Sequence, residues 1–198
     1  EIYHAEMELV GNIAEILTLL SESLPEEHKW EESVAPAYRK DVYDALALPT
    51  QGLSLLRVSD ITRELTDPDV ILTTDVGASK LILSQIWRPF QPNCVLMSNP
   101  LGTMGFGVPS AIAAKLVFPD RQVVSLCGDG GFSMRMAELQ TAMQLGVAPV
   151  IVVLSDQVLS QIRIKQMKKD LAVVGTEFKG AEYVKLAEAF GGNGVSVG

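Results

Sequence analysis

The stretch Val123-Val124-Ser125-Leu126-Cys127-Gly128-Asp129-Gly130-Gly131 decides the fold, because an apolar run ends there in glycines that flank a carboxylate. A second apolar run, Val150 to Leu154, ends in Ser155-Asp156-Gln157, which places Asp156 27 positions after Asp129. Short apolar runs of this kind are typical of strands buried on both faces of a parallel sheet. Since the carboxyl ends of parallel strands meet at one edge, we expect both carboxylates at the same edge of a sheet.

The glycines around Asp129 are predicted to form a turn that leads into a helix. Glycine has no Cβ, so its backbone N–H groups can approach an anion closely, and a helix N-terminus favours negative charge. Two carboxylates beside such a turn offer the oxygen ligands that a hard cation such as Mg²⁺ binds. The pattern therefore predicts a site for Mg²⁺ and a diphosphate. For the Gly-Asp-Gly segment alone, a structural glycine turn with an aspartate cap explains the residues equally well.

From residue 54 onward, strand and helix patterns alternate. Strands are predicted at 70–74, 95–98, 122–127 and 150–154, with a final strand opening at 195–197. Helices are predicted at 54–65, 79–87, 106–117, 135–145, 160–169 and 182–190. This alternation predicts an α/β domain of three layers, α/β/α, with a parallel sheet in the middle. Asp75 follows the first strand and is expected at the same edge as Gly128 and Asp156.

The first 53 residues are predicted to be a helical flank followed by a linker. Apolar residues at helical spacing predict a helix over residues 6–20, whereas residues 21–52 are rich in charge and proline and predict a linker with one or two short helices. We expect residues 1–24 to end a preceding domain, residues 25–53 to be the linker, and residues 54–198 to be the α/β domain. Glu1 is not an initiator methionine, so we expect a longer parent protein.

Composition excludes several classes of function. The net charge of −8, with no basic run beyond Lys165 to Lys169, disfavours a nucleic-acid partner. No apolar run has the length of a membrane span, no signal peptide is recognisable, and the two cysteines, Cys94 and Cys127, predict a reduced, cytoplasmic setting. Both histidines, His4 and His28, precede the α/β region, which therefore lacks the base of a serine–histidine–aspartate triad. Dinucleotide, Walker and metalloprotease motifs are also absent, which leaves chemistry supplied by a bound cofactor.

Three segments together carry a resemblance to a known family. The first is Gly128-Asp129-Gly130, which a short polar pair follows after about 26 intervening residues. The second is Leu101-Gly102-Thr103-Met104-Gly105-Phe106-Gly107-Val108-Pro109, and the third is Thr74-Asp75-Val76-Gly77. In this order and spacing they resemble the carboxyl-terminal, diphosphate-binding domain of thiamine-diphosphate-dependent enzymes of the acetolactate synthase-like family, over residues 55–197. The resemblance implies the thiamine-diphosphate-binding fold, with thiamine diphosphate and Mg²⁺ as cofactors.

The resemblance also implies a role for each matching residue. Asp129 and Asp156 would bind Mg²⁺ through their carboxylates, with the backbone carbonyl of Val158 as a third protein ligand. The Gly102 carbonyl would accept a hydrogen bond from the aminopyrimidine ring, and Met104 would hold the two rings of the cofactor in a bent conformation. The diphosphate would accept hydrogen bonds from the backbone N–H groups of Gly130, Gly131, Ala78 and Ser79. The full set of implied cofactor-binding residues is Val76, Gly77, Ala78, Ser79, Gly102, Met104, Gly128, Asp129, Gly130, Gly131, Asp156, Val158 and Leu159.

Three positions depart from the usual pattern of this family. Asp156 stands where many members have asparagine, and its added negative charge favours Mg²⁺ binding. Lys165 stands where biosynthetic members carry a tryptophan that lines the substrate pocket, and Ser79-Lys80 replaces a His-Gln pair. Asp156 also occurs among catabolic members, and the segment Lys165 to Lys169 is more similar to the catabolic branch. The three departures together leave the substrate open.

The resemblance implies an enzyme, a lyase or transferase that decarboxylates a pyruvate-like 2-keto acid and ligates the product to a second carbonyl. The alternatives are another thiamine-diphosphate-dependent decarboxylase or carboligase, and a non-catalytic module that keeps the fold. In the family the catalytic glutamate comes from the amino-terminal domain of a neighbouring subunit, and no part of this chain resembles that domain. We therefore expect no catalytic residue in this chain, no turnover by it alone, a parent that is a homodimer or homotetramer, and a domain whose last helix and strand lie beyond Gly198.

Overall fold

The computed structural model describes residues 6–24, 31–47, 52–99 and 101–198. The chain divides into two compact units, residues 1–38 and residues 39–198. The three-part division predicted from the sequence, with boundaries after residues 24 and 53, stays a prediction.

In the first unit, helix α1 (Ile13–Ser23) begins after Asn12 instead of at residue 6. The Asn12 side-chain oxygen accepts hydrogen bonds from the backbone N–H groups of Ala14 at 2.9 Å and Glu15 at 3.4 Å. A side chain that satisfies these donors, which have no partner within the helix, favours a helix start at that residue. The predicted helix is therefore present, but its first turns are not helical.

In the second unit, the described residues form a sheet of four parallel strands in the order β2-β1-β3-β4. The strands are β1 (Ile71–Thr74), β2 (Val95–Met97), β3 (Val123–Gly128) and β4 (Val150–Leu154). The register places Ser125 beside Thr73 on one side and beside Ile151 on the other. The strand order reverses between β1 and β3, which is the position at which open α/β sheets bind ligands.

Helices precede, connect and cover these strands. Their bounds are α2 (Val34–Leu46), α3 (Leu55–Glu64), α4 (Ala78–Ile86), α5 (Gly107–Val117), α6 (Asp129–Arg135), α7 (Glu138–Leu145), α8 (Ser160–Lys168) and α9 (Tyr183–Ala189). Within the described ranges, no helix combines the length and the apolar character that crossing a bilayer requires.

Different helices cover the two faces of the sheet, because successive side chains along a strand point to opposite faces. On one face, Leu72 and Leu126 pack with Leu83 of α4 in a buried cluster. On the other face, Cys127 packs with Ile112 of α5 and with residues of α6 and α7. The prediction of a three-layer α/β/α fold with a parallel sheet is confirmed.

The helix predicted at 135–145 is two helices, and the first of them starts earlier than expected. Helix α6 begins at Asp129, so Gly130 and Gly131 lie within its first turn instead of in a turn before it. A carboxylate in the first turn is favourable because the N-terminus of a helix carries a partial positive charge. The glycine motif is therefore part of the helix start itself.

The strand expected to open at residues 195–197 does not form. Val195 and Val197 are 84% and 76% exposed, and the segment has no regular structure. A strand needs a neighbour to pair its backbone N–H and C=O groups, so an apolar pattern alone is not sufficient. Strand β4 consequently lies at the edge of the described sheet, next to β3 only.

Candidate functional site

A cleft of about 550 Å³ lies at the carboxyl ends of β1, β3 and β4. This is the edge at which the sequence placed its acidic and glycine-rich turns, and it includes the point where the strand order reverses. The cleft is lined by residues 53–55, 76–79, 128–131, 154–156 and 158–162, together with Ile82 and Met104.

Asp129 is the buried carboxylate of the cleft, with 2% of its surface exposed. One oxygen, Oδ2, accepts hydrogen bonds from the Gln157 backbone N–H at 2.8 Å and from the Ser155 hydroxyl at 3.2 Å. The other oxygen, Oδ1, accepts one from the Gly130 backbone N–H at 2.8 Å. These bonds join the start of α6 to the turn after β4. They also fix the carboxylate in place. Because an ionised carboxylate can accept about four hydrogen bonds and three are made here, one acceptor position remains for a ligand.

Asp156 is exposed and belongs to the turn after β4. Its two oxygens accept hydrogen bonds from the Val158 backbone N–H at 3.0 Å and from the Ser160 hydroxyl at 2.6 Å. The Val158 carbonyl, predicted as a metal ligand, accepts the Ser160 backbone N–H at 2.9 Å. Ser160 thus holds both of these groups at the start of α8.

Two helices begin at the cleft with glycine at the N-cap position. Gly77 precedes α4 and Gly128 precedes α6, and neither has a side chain to accept the first N–H groups of its helix. Gly77 has a φ of 104°, which residues with a Cβ rarely adopt. The Gly130 N–H at the start of α6 already donates to Asp129 Oδ1. Helix starts still carry a partial positive charge, so the two together favour an anionic ligand.

Gly130 lies beneath apolar side chains that also line the cleft. A Cβ placed on Gly130 would lie 2.8 Å from Leu159 Cδ2 and 3.3 Å from Met104 Cε. No side chain fits at this position without moving its neighbours. Met104, predicted to contact the cofactor rings, is therefore directly next to the glycine motif predicted to bind the diphosphate.

The residue composition of the cleft determines its charge. Among the described residues that line it, Asp129 and Asp156 are the ionisable side chains, and neither lysine, arginine nor histidine is present. No group of three or more His, Cys, Asp or Glu side chains suited to a metal occurs in the described part of the chain. A metal at this site would therefore be held by two carboxylates together with backbone and ligand oxygens.

The structure brings together every predicted site residue except one. Gly102 does not line the cleft, although a Cβ placed on it would lie 3.7 Å from Val76 Cγ1, which does. Lys165 and Lys80 are not among the lining residues either, and the Lys80 ammonium donates to the Ser98 carbonyl at 2.7 Å. The binding roles of the predicted residues stay predictions.

The lining residues that sequence reasoning missed include a segment before the sheet and a serine at the start of α8. Leu53, Ser54 and Leu55 come from the start of α3, and no local signal connects this helix to the acidic turns. Ser160 was assigned only to a helix, yet its hydroxyl bonds to Asp156. Asp156 also accepts the backbone N–H of Val158 two positions on, a local turn that aspartate favours and that could have indicated its role before α8.

Asp75 lies behind the cleft and is 2% exposed. Its Oδ1 accepts the Phe106 backbone N–H at 2.9 Å. Burial raises the pKa of Asp75 above its usual range, and the backbone N–H groups of Phe106, Gly107, Gly105 and Val76 oppose that shift. Asp75 lies at the same edge of the sheet as Gly128 and Asp156, as predicted. It is buried behind the cleft and does not line it.

Comparison with known proteins agrees with this arrangement. The family model described as "Thiamine pyrophosphate enzyme, C-terminal TPP binding domain" matches residues 75–198. The acetolactate synthase of Bacillus subtilis (strain 168) is 29% identical over 201 residues, which cover 98% of this chain and 35% of that protein. The catabolic acetolactate synthase of Raoultella terrigena is 32% identical over 204 residues, which cover 98% of this chain and 36% of that protein.

A further relative is named for a different reaction from that of the two acetolactate synthases. The pyruvate oxidase of Lactiplantibacillus plantarum is 34% identical over 153 residues, which cover 77% of this chain and 25% of that protein. The chain thus spans about a third of the length of the acetolactate synthases it matches. The matched family region contains the turns after β1, β3 and β4 that border the cleft. The chain therefore belongs to the thiamine pyrophosphate enzyme family, as a C-terminal TPP-binding domain.

Proposed function

We propose that this chain is the cofactor-binding domain of an acetolactate synthase-like enzyme, which decarboxylates a 2-keto acid and ligates the product to a second carbonyl. The single observation that carries the cofactor assignment is the cleft in which two glycine-capped helix starts meet two carboxylates. The similarity to two acetolactate synthases supports the choice of reaction.

The charge of the cleft supports Mg²⁺ as the second cofactor. A diphosphate placed beside Asp129 and Asp156 adds negative charge to a site whose described lining has no basic side chain. Two like charges about 4 Å apart repel by about 4 kcal/mol at the effective dielectric of a protein surface. A divalent cation would offset this repulsion, and carboxylate and carbonyl oxygens are ligands that suit Mg²⁺. Asp129, Asp156 and the Val158 carbonyl would hold it.

The remaining residues would bind and orient the cofactor. Backbone N–H groups at the starts of α4 and α6 would donate to the diphosphate, and Met104, with the Gly102 segment, would hold the ring end. Thiamine diphosphate, when bound here, would supply the carbon nucleophile and the electron sink that decarboxylation of a 2-keto acid requires. Leu159 and Met104 lie against Gly130 and make that side of the cleft apolar.

The activity of the whole protein needs more than this chain contributes. We propose that the glutamate required by the reaction comes from a second domain of a neighbouring subunit, and that the active protein is a homodimer or homotetramer. A cytoplasmic location, and the absence of nucleic-acid and membrane partners, are parts of the same proposal.

A second function within the same family is supported by one comparison. The pyruvate oxidase relative shares this region at slightly higher identity over a shorter stretch. Its name denotes a reaction other than acetolactate synthesis. The alternative remains the one that the sequence resemblance implies, another thiamine-diphosphate-dependent decarboxylase or carboligase. A non-catalytic module would keep the fold without using the cofactor. The presence of Asp129, Gly130 and Asp156 at the cleft favours a cofactor-binding domain over such a module.

The test is a titration of the intact protein with thiamine diphosphate by calorimetry at several Mg²⁺ concentrations, alongside 2-keto acid consumption and product analysis. We expect Asp129→Ala to abolish Mg²⁺-dependent binding, because the best-fixed carboxylate is lost. Asp156→Asn should bind within about 10-fold of the unmodified protein, because an amide oxygen still ligates Mg²⁺. Formation of acetolactate from two pyruvate molecules with release of CO₂ supports the synthase reaction, whereas consumption of the 2-keto acid with any other product supports the alternative.

Asp120→Ala is the matched control, because Asp120 is exposed and lies before β3 at the opposite edge of the sheet. It should bind the cofactor as the unmodified protein does. If Asp129→Ala bound thiamine diphosphate as tightly as that control, the assignment of the glycine–aspartate motif as the metal–diphosphate anchor would be wrong.

A further inference from the structure

Three separate turns of the site meet on one buried side chain, Asp75. It follows β1, and its Oδ1 accepts the Phe106 backbone N–H at 2.9 Å. Its other oxygen lies against the start of α6, since a Cβ placed on Gly131 would be 1.8 Å from Asp75 Oδ2 and 2.5 Å from Cγ. The carboxylate thus touches both the segment predicted to hold the cofactor rings and the helix predicted to bind the diphosphate.

The chemistry of a carboxylate suits this position better than that of other side chains of its size. Its two oxygens accept hydrogen bonds and donate none, and the groups that face it include the backbone N–H groups of Gly105, Phe106 and Gly107. An asparagine would direct an NH₂ group toward such donors, and a glutamate has no room against Gly131. Burial of an ionisable group is unfavourable unless several hydrogen bonds compensate for lost hydration. The segment 105–107 supplies these bonds and is held in place by them.

We propose that Asp75 is a positioning residue that fixes the distance between the ring end and the diphosphate end of the cofactor site. This inference rests on the proposed function, because it assumes that a two-ended cofactor spans the cleft. A ligand that occupies both ends requires the correct spacing between them. A ligand that occupies only the diphosphate end does not, because the start of α6 and the two metal-binding aspartates remain.

The experiment compares two ligands in the intact protein: thiamine diphosphate with Mg²⁺, and inorganic pyrophosphate with Mg²⁺. In Asp75→Asn, we expect the dissociation constant of thiamine diphosphate to rise about 10-fold to 100-fold, the order of effect of losing a hydrogen bond to a charged group. The dissociation constant of magnesium pyrophosphate should change less than about 3-fold, because this ligand contacts only the diphosphate end of the site and does not depend on its distance from the ring end. The ratio of the two constants is the readout that a general loss of stability does not change.

Val70→Ala is the matched control for stability. Val70 is fully buried next to the amino end of β1, away from the cleft, so its truncation destabilises the same strand without touching the site. It should leave both dissociation constants unchanged. If Asp75→Asn does not fold, Asp75→Ser replaces it, because a hydroxyl is smaller, is neutral and cannot reach both segments.

A double-mutant cycle tests the contact itself. Gly131→Ala alone drives a methyl group into the Asp75 carboxylate, whereas in an Asp75→Ala background only the Cβ remains, 3.3 Å from the new methyl group. We expect Gly131→Ala to raise the thiamine diphosphate dissociation constant about 10-fold in the unmodified protein and clearly less in the Asp75→Ala background. Equal effects in both backgrounds would contradict the proposed contact.

The outcomes separate this inference from the proposed function. If the unmodified protein binds neither ligand, the cofactor assignment fails, and this inference fails with it. If it binds both, and Asp75→Asn weakens both ligands equally or neither of them, the cofactor assignment stands and the positioning role of Asp75 is wrong.

Discussion

At the scale of single residues, the Cys127 thiol provides a probe of how tightly the site end of β3 is packed. Cys127 is fully buried, and burial raises its pKa from 9.0 to about 12, with the nearby Asp75 carboxyl adding to the shift. Because the folded state holds the thiol proton more tightly than the unfolded state, this group favours folding below pH 9.0. That contribution is lost as the pH rises from 9.0 toward about 12.

The resulting prediction concerns alkaline stability. The difference in unfolding free energy between the unmodified protein and Cys127→Ala should fall by up to about 1.4 kcal/mol for each pH unit between 9.0 and about 12, the free energy that corresponds to one pKa unit. Denaturant unfolding of both proteins at a series of pH values measures it, and groups that titrate in both proteins cancel. Two parallel stability curves would contradict the burial of this thiol.

Individual site residues differ in how far the sequence could identify them. Asp129, Gly130 and Asp156 were predictable because each follows an apolar strand directly, and the parallel sheet then brings them to one edge. Leu53 lines the same cleft without any such signal, since the packing of α3 against α4 is a long-range outcome of the fold. The buried contact of Asp75 with Gly131 was equally out of reach, because a local pattern contains no distances between turns.

At the scale of secondary-structure elements, strands were predicted better than helix starts. The predicted bounds of β4 match the structure, but the strand is partly exposed and not buried as its apolar run predicted, because it lies at the edge of the described sheet. The start of α6 was placed six residues too late, at 135 instead of 129, because glycine disfavours helices by local propensity. In the fold, Asp75 and Leu159 occupy the space that a Cβ would need at Gly131 and Gly130, so the glycines are required there.

The amino ends of the strands are joined by Arg121, and this yields a prediction at the same scale. The Arg121 Nε donates to the Asp69 carbonyl at 2.9 Å, a side-chain N–H reaches Cys94 Sγ at 2.8 Å, and the guanidinium lies 5.1 Å from the Phe118 ring centre. We expect Arg121→Ala to lower the unfolding free energy by about 2 to 3 kcal/mol, since it leaves partly buried acceptors unpaired. Cofactor affinity should not change, because this edge is opposite the cleft.

Arg163→Ala is the control for Arg121→Ala. Arg163 pairs with Glu177 at 3.2 Å, but both side chains are largely exposed, at 43% and 70%. Exposed pairs of this kind contribute about 0 to 1 kcal/mol. Thermal or denaturant unfolding of the three proteins distinguishes them, and an equal loss in both variants would show that Arg121 does not join the strands.

At the scale of the whole molecule, the arrangement of strands explains why the cleft is where it is. Strands β1 and β3 are neighbours although β2 lies between them in the chain, so helices α4 and α6 start side by side at the carboxyl edge. The alternation of strand and helix patterns predicted this edge, but not the strand order, because pattern alone does not specify which strands pair. The predicted strand at 195–197 failed for the same reason, since pairing and not composition decides whether a strand forms.

The proposed assembly leads to a prediction for the intact protein. Leu101, beside the Gly102 segment predicted to hold the cofactor rings, is 88% exposed. A single exposed leucine is ordinary on a monomer, but one next to a site shared between subunits is a candidate interface anchor. We expect Leu101→Asp to weaken self-association by about 10-fold or more, because it places a charge in a contact that excludes water. Sedimentation velocity over a range of protein concentrations measures this association.

Leu65→Asp is the matched control, because Leu65 is 76% exposed but follows α3 and precedes β1, at the opposite edge of the sheet from the cleft. It carries the same change in charge and should leave association and cofactor affinity unaltered. If the cofactor site is completed by a neighbouring subunit, the Leu101→Asp protein should also lose thiamine diphosphate affinity at concentrations where it dissociates and recover it where it reassociates. A protein that remains monomeric at all concentrations, yet turns over 2-keto acid at the normal rate, would show that each chain completes its own site and that the shared-site assembly is wrong.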